Sequence, residues 1–140
     1  MGQENPQAPV LATLIFDSDV LIWILRGHGK ALQFAGAVAP RERNVSVISY
    51  LELIRGCRDQ REARDFNELI EGWFNEVIPL KPEATDTAVS LMVKYGLSHR
   101  PGVNDVLIAA TALSRSEALA TGNVKHFAYV PGLVVRPFHR

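Results

Sequence analysis

Cysteine is almost absent from this sequence. Cys57 stands alone, so no internal disulfide can form and a reducing compartment is the natural setting. The lone thiol reads as a small buried hydrophobe. Long apolar runs are missing too, and none approaches the ~20 residues needed to span a bilayer. The opening segment MGQENPQAPV has neither the basic start nor the apolar stretch of a signal peptide. Together these absences lead to the expectation of a cytoplasmic protein with no membrane association. Net charge is also absent, because 15 Lys and Arg balance 15 Asp and Glu. That excludes a histone-like or membrane-surface protein with a wholly basic face, but leaves room for a local basic patch. No His-x-x-x-His or Cys-x-x-Cys pair occurs, which argues against zinc. Internal repeats, linkers and low-complexity tracts are missing as well.

What is present suits one folded unit. The chain has 140 residues, of which 47% are hydrophobic, enough for one core and cramped for two. Residues 1–11 read as a loose leader and residues 12–140 as a single domain. Leu11 to Phe16 is nearly all apolar, as a central parallel strand buried on both faces would be. An apolar stretch at helical spacing follows Asp17-Ser18-Asp19 and stops near Gly27. A short helix is expected over Ala31–Val38 and a second strand over Asn44–Val47. Ser49 then starts a helix ending near Gly56. Arg61–Phe74 is amphipathic, with Phe66, Leu69, Ile70 and Trp73 on one face. A third strand is expected over Glu76–Leu80, then a helix from Pro82 to Gly96 and a loop from Ser98 to Asn104. Asp105 opens a helix that is apolar almost all round. Ala118–Thr121 and Leu133–Val135 complete the strands. Strands alternating with helices imply parallel pairing through crossovers, hence a three-layer α/β/α sandwich around a mainly parallel sheet.

The carboxylates gather on this scheme. In open α/β sheets ligands bind outside the carboxyl ends of the strands. Asp17 lies there, directly after the first strand, with Asp19 two residues on. Glu52 falls on the first turn of the helix after the second strand, and Asp105 on the first turn of the buried helix. Thr121-Gly122-Asn123 leaves the fourth strand at the same edge. Such a cluster of like charges needs a cation or raised pKa values to be tolerable. Hard divalent ions such as Mg²⁺ choose oxygen ligands of this kind and retain water. Each acid also has a plainer reading. Asp105 and Asp19 suit helix N-termini, and Ser49-x-x-Glu52 matches a capping box. An acid ending a buried strand, as Asp17 does, is harder to explain without function.

Several fragments carry a family resemblance. They are Ile15-Phe16-Asp17-Ser18-Asp19-Val20-Leu21-Ile22, the run Val47-Ile48-Ser49-Tyr50-Leu51-Glu52-Leu53-Ile54-Arg55-Gly56, and Asn104-Asp105-Val106-Leu107-Ile108-Ala109-Ala110-Thr111-Ala112. Ala120-Thr121-Gly122-Asn123-Val124-Lys125-His126-Phe127 and Val130-Pro131-Gly132-Leu133 complete the series. In this order and spacing, from Leu14 to about Val135, the chain resembles the PIN-domain ribonucleases, and within them the VapC toxins of toxin–antitoxin pairs. The resemblance implies a three-layer fold and cleavage of RNA dependent on Mg²⁺ or Mn²⁺. Asp17, Glu52 and Asp105 match the family's main acidic positions. A fourth position, Asp in many PIN domains, is Asn123 here, which favours a single ion. Many relatives also carry an acid where His126 stands.

The expected mechanism follows from that match. Asp17 and Asp105 hold the ion, and Glu52 orients or deprotonates the attacking water or completes the shell. Asn123 steadies the shell or the scissile phosphate. Arg26, Lys30, Arg55, Arg100 and Lys125 are candidates to offset the RNA phosphates. The expected partners are RNA and a small antitoxin whose tail covers the active-site groove, in a homodimer or toxin–antitoxin hetero-oligomer. Apolar residues on Ala31–Val38 and Arg61–Phe74 are candidates either for such contact surfaces or, equally, for the core. Two rivals stand beside this reading. Asp17-x-Asp19 also fits a haloacid-dehalogenase-type phosphatase, but the later paired acids of that family are missing, since Glu117 is the only carboxylate after Asp105. A PIN scaffold with a weakened site, acting as a binding module, is the other.

Overall fold

The structure, a computed structural model, describes residues 13–140. The expected leader, and Leu11 and Ala12 of the expected first strand, lie outside the described residues. The elements are β1 (Leu14–Phe16), α1 (Ser18–Leu25), α2 (Gly29–Gly36), β2 (Arg43–Ser46), α3 (Val47–Arg55), α4 (Gln60–Trp73), β3 (Glu76–Ile78), α5 (Pro82–His99), α6 (Val103–Arg115), β4 (Ala118–Thr121) and β5 (Val135–Pro137). Short 3₁₀ turns occupy Pro40–Glu42 and Val124–Phe127. The strands form one parallel sheet in the order β3-β2-β1-β4-β5.

Alternation along the central strands builds two cores. Leu14 and Phe16 point to one face with Ala118 and Ala120, where α1, α2 and α4 cover them. Ile15 and Leu119 point to the other, under α5 and α6. Bulk and smallness are matched across the β1–β4 pair, with Phe16 opposite Ala120 in register. The Phe16 ring meets Phe34 and Phe74 edge-on at 6.0 and 5.3 Å. Because α1, α2 and α4 lie on one side of the sheet and α5 and α6 on the other, the three-layer sandwich is the observed architecture. No helix among the described residues is long and apolar enough to cross a membrane.

Several boundaries differ from the sequence expectation, each for a local reason. Helix α3 begins at Val47, not Ser49, because the Ser46 hydroxyl accepts the Ser49 amide at 3.2 Å and caps it. The Ser49–Glu52 capping box is therefore not formed, and Glu52 sits in the second turn. Helix α5 runs through Gly96 to His99 and ends at Arg100, which takes a left-handed conformation at φ 46° before Pro101. The loop expected from Ser98 is shorter accordingly. Strand β5 lies two residues later than expected, and its Pro137 is tolerated at a sheet edge where a missing N–H costs no ladder bond. Strand β2 starts with a buried arginine. The Arg43 guanidinium donates to the carbonyls of Ala35, Val38 and Trp73 at 2.8–3.0 Å, tying down the ends of α2 and α4.

The apolar residues of α2 and α4 do not form outer surfaces. Ala31, Ala35, Phe66 and Ile70 are buried, and Leu32, Phe34, Leu69 and Trp73 pack against the same core. The outward apolar stripe is on α5, where Val89, Val93 and Leu97 recur every four residues at 58, 81 and 87% exposure.

Glu117, the last carboxylate of the chain, belongs to the amino-terminal edge of the sheet. Its two oxygens take Asn44 Nδ2 at 2.7 Å and Arg115 Nε at 2.5 Å, and Arg115 reaches on to Glu76 at 2.7 Å. This clamp joins the starts of β2, β3 and β4. Glu117→Ala would leave a buried amide and a part-buried guanidinium short of partners. It should cost about 3 kcal/mol in urea unfolding, and an unchanged midpoint would refute the clamp.

Candidate active site

The strand order places a topological switch between β1 and β4. The chain leaves β1 towards β2 on one side and returns as β4 on the other, so a crevice opens at their carboxyl ends. Asp17 stands at the lip. Its amide donates to the Ala120 carbonyl at 2.9 Å, continuing the ladder one residue past the strand. Its Oδ1 accepts the Ser18 amide at 2.8 Å, capping α1, and its Oδ2 accepts the Thr121 hydroxyl at 2.7 Å across the crevice.

Asp19 secures the same crevice from the first turn of α1. Its Oδ1 accepts its neighbour's amide, Val20, and its Oδ2 accepts the Gly122 amide, both at 2.8 Å. Only glycine allows this approach, since a Cβ at position 122 would lie 2.6 Å from that oxygen. Glu52 reaches in from α3. The Ser18 hydroxyl donates to its Oε1 at 2.6 Å and the Asn104 amide to its Oε2 at 2.9 Å. Asp105, in the first turn of α6, has His126 Nδ1 at 3.4 Å from its Oδ2. Asn123 donates its backbone amide to the Thr121 hydroxyl at 3.0 Å, and its carboxamide makes no hydrogen bond to a described residue.

The electrostatics are those of an acid cluster short of positive charge. Burial lifts the Asp17 carboxyl from its ordinary 3.8 to about 6, against the Thr121 hydrogen bond and with help from the negative fields of Asp19 and Asp105. Burial also raises Asp19, and raises Asp105 despite the opposing field of His126. Among the described residues no lysine or arginine forms an ion pair with any of these acids. No three carboxylate, His or Cys side chains among them close a coordination shell unaided. Apart from the His126 imidazole beside Asp105, the donors at the crevice are oxygens: carboxylates, the Ser18 and Thr121 hydroxyls and an amide. That set suits a hard divalent ion that keeps part of its water shell. Grooves open on both sides, one of about 640 Å³ lined by Glu52, Arg26 and Arg58, the other of about 420 Å³ lined by Asp105, Arg100 and Lys125.

A family model for the PIN domain matches residues 14–133. The chain belongs to the PIN-domain family. A relative of this PIN domain, Ribonuclease VapC10 of Mycobacterium tuberculosis, is 39% identical over 118 residues, covering 81% of this chain and 85% of its own length. Among solved structures, a chain of a toxin–antitoxin complex from Klebsiella pneumoniae superposes with a TM-score of 0.74 at 26% identity, covering 91% of this PIN domain and 99% of that chain. A chain of VapBC2 from Rickettsia felis, bound to a DNA fragment from its promoter, gives 0.77 at 18% identity with 91 and 99% coverage. The second likeness bears on fold alone.

Of the residues expected at the PIN-domain site, Asp17, Glu52 and Asp105 come to one rim with Asn123 at its edge. Glu52 arrives from the second turn of its helix, unencumbered by capping. Arg100 and Lys125 share a cleft with Asp105, and Arg26 shares one with Glu52; Lys30 and Arg55 line neither. The residues that sequence reasoning missed are the positioning ones, Ser18, Asn104 and Thr121. Ser18 and Thr121 lie inside the matching fragments, but their partners are 34 and 104 residues away.

A carboxyl that binds its proton more tightly folded than unfolded stabilises the native state at low pH. For Asp17 that contribution is complete below about pH 3.8 and is lost as pH rises through about 6. The cost by neutral pH is on the order of 3 kcal/mol. In chelator, the wild-type melting temperature should therefore fall between about pH 5 and pH 7.5, whereas Asp17→Asn should fall less and melt higher at the upper pH. Equal pH slopes for the two proteins would contradict the buried-carboxylate assignment.

Proposed function

We propose that this chain is an endoribonuclease that hydrolyses RNA phosphodiester bonds with Mg²⁺ or Mn²⁺, and that it acts as the toxin of a toxin–antitoxin pair. The observation that carries the reading is the convergence of Asp17, Glu52 and Asp105, from three separate elements, on the β1–β4 crevice of a PIN domain. Its 39% identity to a ribonuclease points the same way.

Asp17 and Asp105 are the residues that would hold the ion. Each oxygen of Asp17 accepts one hydrogen bond and has a second lone pair left over. A divalent ion supplies charge neutralisation for the scissile phosphate and acidifies a water at neutral pH. Glu52, held at both oxygens by Ser18 and Asn104, is the residue that would orient such a water and take its proton. Asp19 braces the loop that carries Asn123, whose unengaged carboxamide is the group left to steady the phosphate or the ion's water shell. His126 holds Asp105 in place. The reading implies a small antitoxin as partner, its tail lying in the groove beside Glu52, and a homodimer or toxin–antitoxin hetero-oligomer. Cytoplasmic residence is part of the same reading.

Asn123 in place of an acid is the observation that favours the second reading, a scaffold that binds RNA without cutting it. Incubation of the purified protein with end-labelled RNA, with Mn²⁺ or with chelator, separates the two. Cleavage should require the ion. Asp17→Asn and Asp105→Asn should each slow it at least about 100-fold, and Glu52→Gln by a similar factor. Asp19→Asn should be milder, whereas a phosphatase using Asp17-x-Asp19 would lose all activity. Variants at Asp17 and Asp105 that cut as fast as wild type would overturn the site, and retained RNA binding without cleavage would establish the scaffold reading.

A further inference from the structure

The cleft beside Asp105 enters the steps above only through Asp105 and His126; His99, Arg100, Lys125 and Tyr129 have no role in them. It measures about 420 Å³, and its lining includes His99, Arg100, Lys125, His126 and Tyr129. That is within the roughly 300–1,000 Å³ of small-ligand sites. One wall is aromatic. His99 and Tyr129 stack with ring centroids 5.1 Å apart and planes at 26°. Tyr95 buttresses both, at 5.7 and 5.4 Å. His99 ends α5, is exposed, and has its Nδ1 fixed 2.8 Å from the Ser98 hydroxyl. The Tyr129 hydroxyl is buried without a hydrogen-bond partner.

Two cations flank this stack. Arg100 is held in the left-handed conformation at φ 46°, with its amide on the Gly96 carbonyl at 3.0 Å. Its guanidinium and the Lys125 ammonium are exposed, and neither forms an ion pair among the described residues. Exposed cations alone say little. A flat ring with two unpaired cations at a catalytic carboxylate, in a cleft of nucleotide size, is what a single nucleic-acid strand requires: a face for a base and positive charge for its phosphates. A duplex cannot use the ring, because its bases are already stacked.

We propose that this cleft is a nucleotide subsite for single-stranded RNA. An unpaired base next to the scissile phosphate stacks on His99, while Arg100 and Lys125 hold the neighbouring phosphates. The identity of the strand rests on the ribonuclease reading above.

The test is binding of a fluorescein-labelled single-stranded RNA of mixed sequence to the full chain in chelator, read by fluorescence anisotropy. His99→Ala should weaken binding about tenfold, and His99→Phe should restore it to within about twofold, because the ring face rather than the imidazole is used. The same RNA annealed to its complement should be indifferent to His99→Ala. Arg100→Gly, which suits the left-handed backbone, combined with Lys125→Gln should reduce the log–log salt slope by about 1.4, the value for two phosphate contacts on a single strand. Melting curves check that each variant is folded. Unchanged binding in His99→Ala, failure of His99→Phe to restore it, or an unchanged salt slope overturns the subsite. Absence of RNA cleavage by wild type with Mn²⁺ would instead sink the ribonuclease reading, and the binding comparison would still decide the subsite by itself.

Discussion

Much of this molecule follows from placing the Asp17 carboxylate at the end of a strand buried on both faces. Water is scarce there, so the charge must be met by donors whose positions are fixed. The Ser18 amide supplies one by starting a helix at once, which is why β1 is followed by α1 without a loop. The Thr121 hydroxyl supplies the other from across the crevice. That bond demands β4 beside β1 and in register, with Ala118 and Ala120 small enough to admit Leu14 and Phe16. The Gly122 amide on Asp19 then fixes the loop beyond. The bonds of Asp17 and its neighbour Asp19 thus tie together the β1–β4 pair, the helix start and the loop that carries Asn123.

How far this can be read from the sequence depends on the range of the interaction. Asp17 is legible, because an acid closing a run such as Leu14-Ile15-Phe16 contradicts its surroundings. The parallel sheet is legible from the alternation of strands with amphipathic segments. Ser18, Asn104 and Thr121 are not, because each acts on a partner 34 to 104 residues away and polar residues in turns carry no such signal locally. The start of α3 is ambiguous in sequence because two serines compete for it. Ser46 and Ser49 both suit a cap, and only the end of the β2–β3 ladder at Ser46 decides between them. Arg43 is illegible for a related reason: its burial is permitted by helix-end carbonyls that exist only once α2 and α4 have packed. Gly96 resembles a helix stop, yet propensity is a weak prior and α5 continues past it to His99.

The two edges of the sheet treat charge in opposite ways. At the amino-terminal edge Arg115 pairs with both Glu76 and Glu117, and Asn44 donates to Glu117 as well, so the acids there find partners within the fold. At the carboxyl edge four acids gather with no lysine or arginine paired to them among the described residues, and only the His126 imidazole lies near one of them, 3.4 Å from Asp105. A fold that wanted these acids only for stability would have repeated the first solution. The raised Asp17 carboxyl shows the price of not doing so. Negative charge left without a cation at a topological switch point marks this edge as the candidate functional site.

The hydrogen bonds also indicate how that charge is to be relieved. Both oxygens of Asp19 accept backbone amides, and both oxygens of Glu52 accept side-chain donors from Ser18 and Asn104. Neither acid is free to turn towards a second centre without giving up bonds that position α1 or α6. Asp105 is the least engaged, with only His126 at one oxygen. Asn123 adds an oxygen without a charge. On the proposed reading, the coordinating capacity therefore lies between Asp17 and Asp105, on the side of the crevice where Arg100 and Lys125 wait for phosphate. On that reading the hydrogen bonds divide the labour among the four acids: Asp17 and Asp105 would serve one cation and Glu52 a proton, while Asp19 holds the Gly122 amide and with it the loop that carries Asn123.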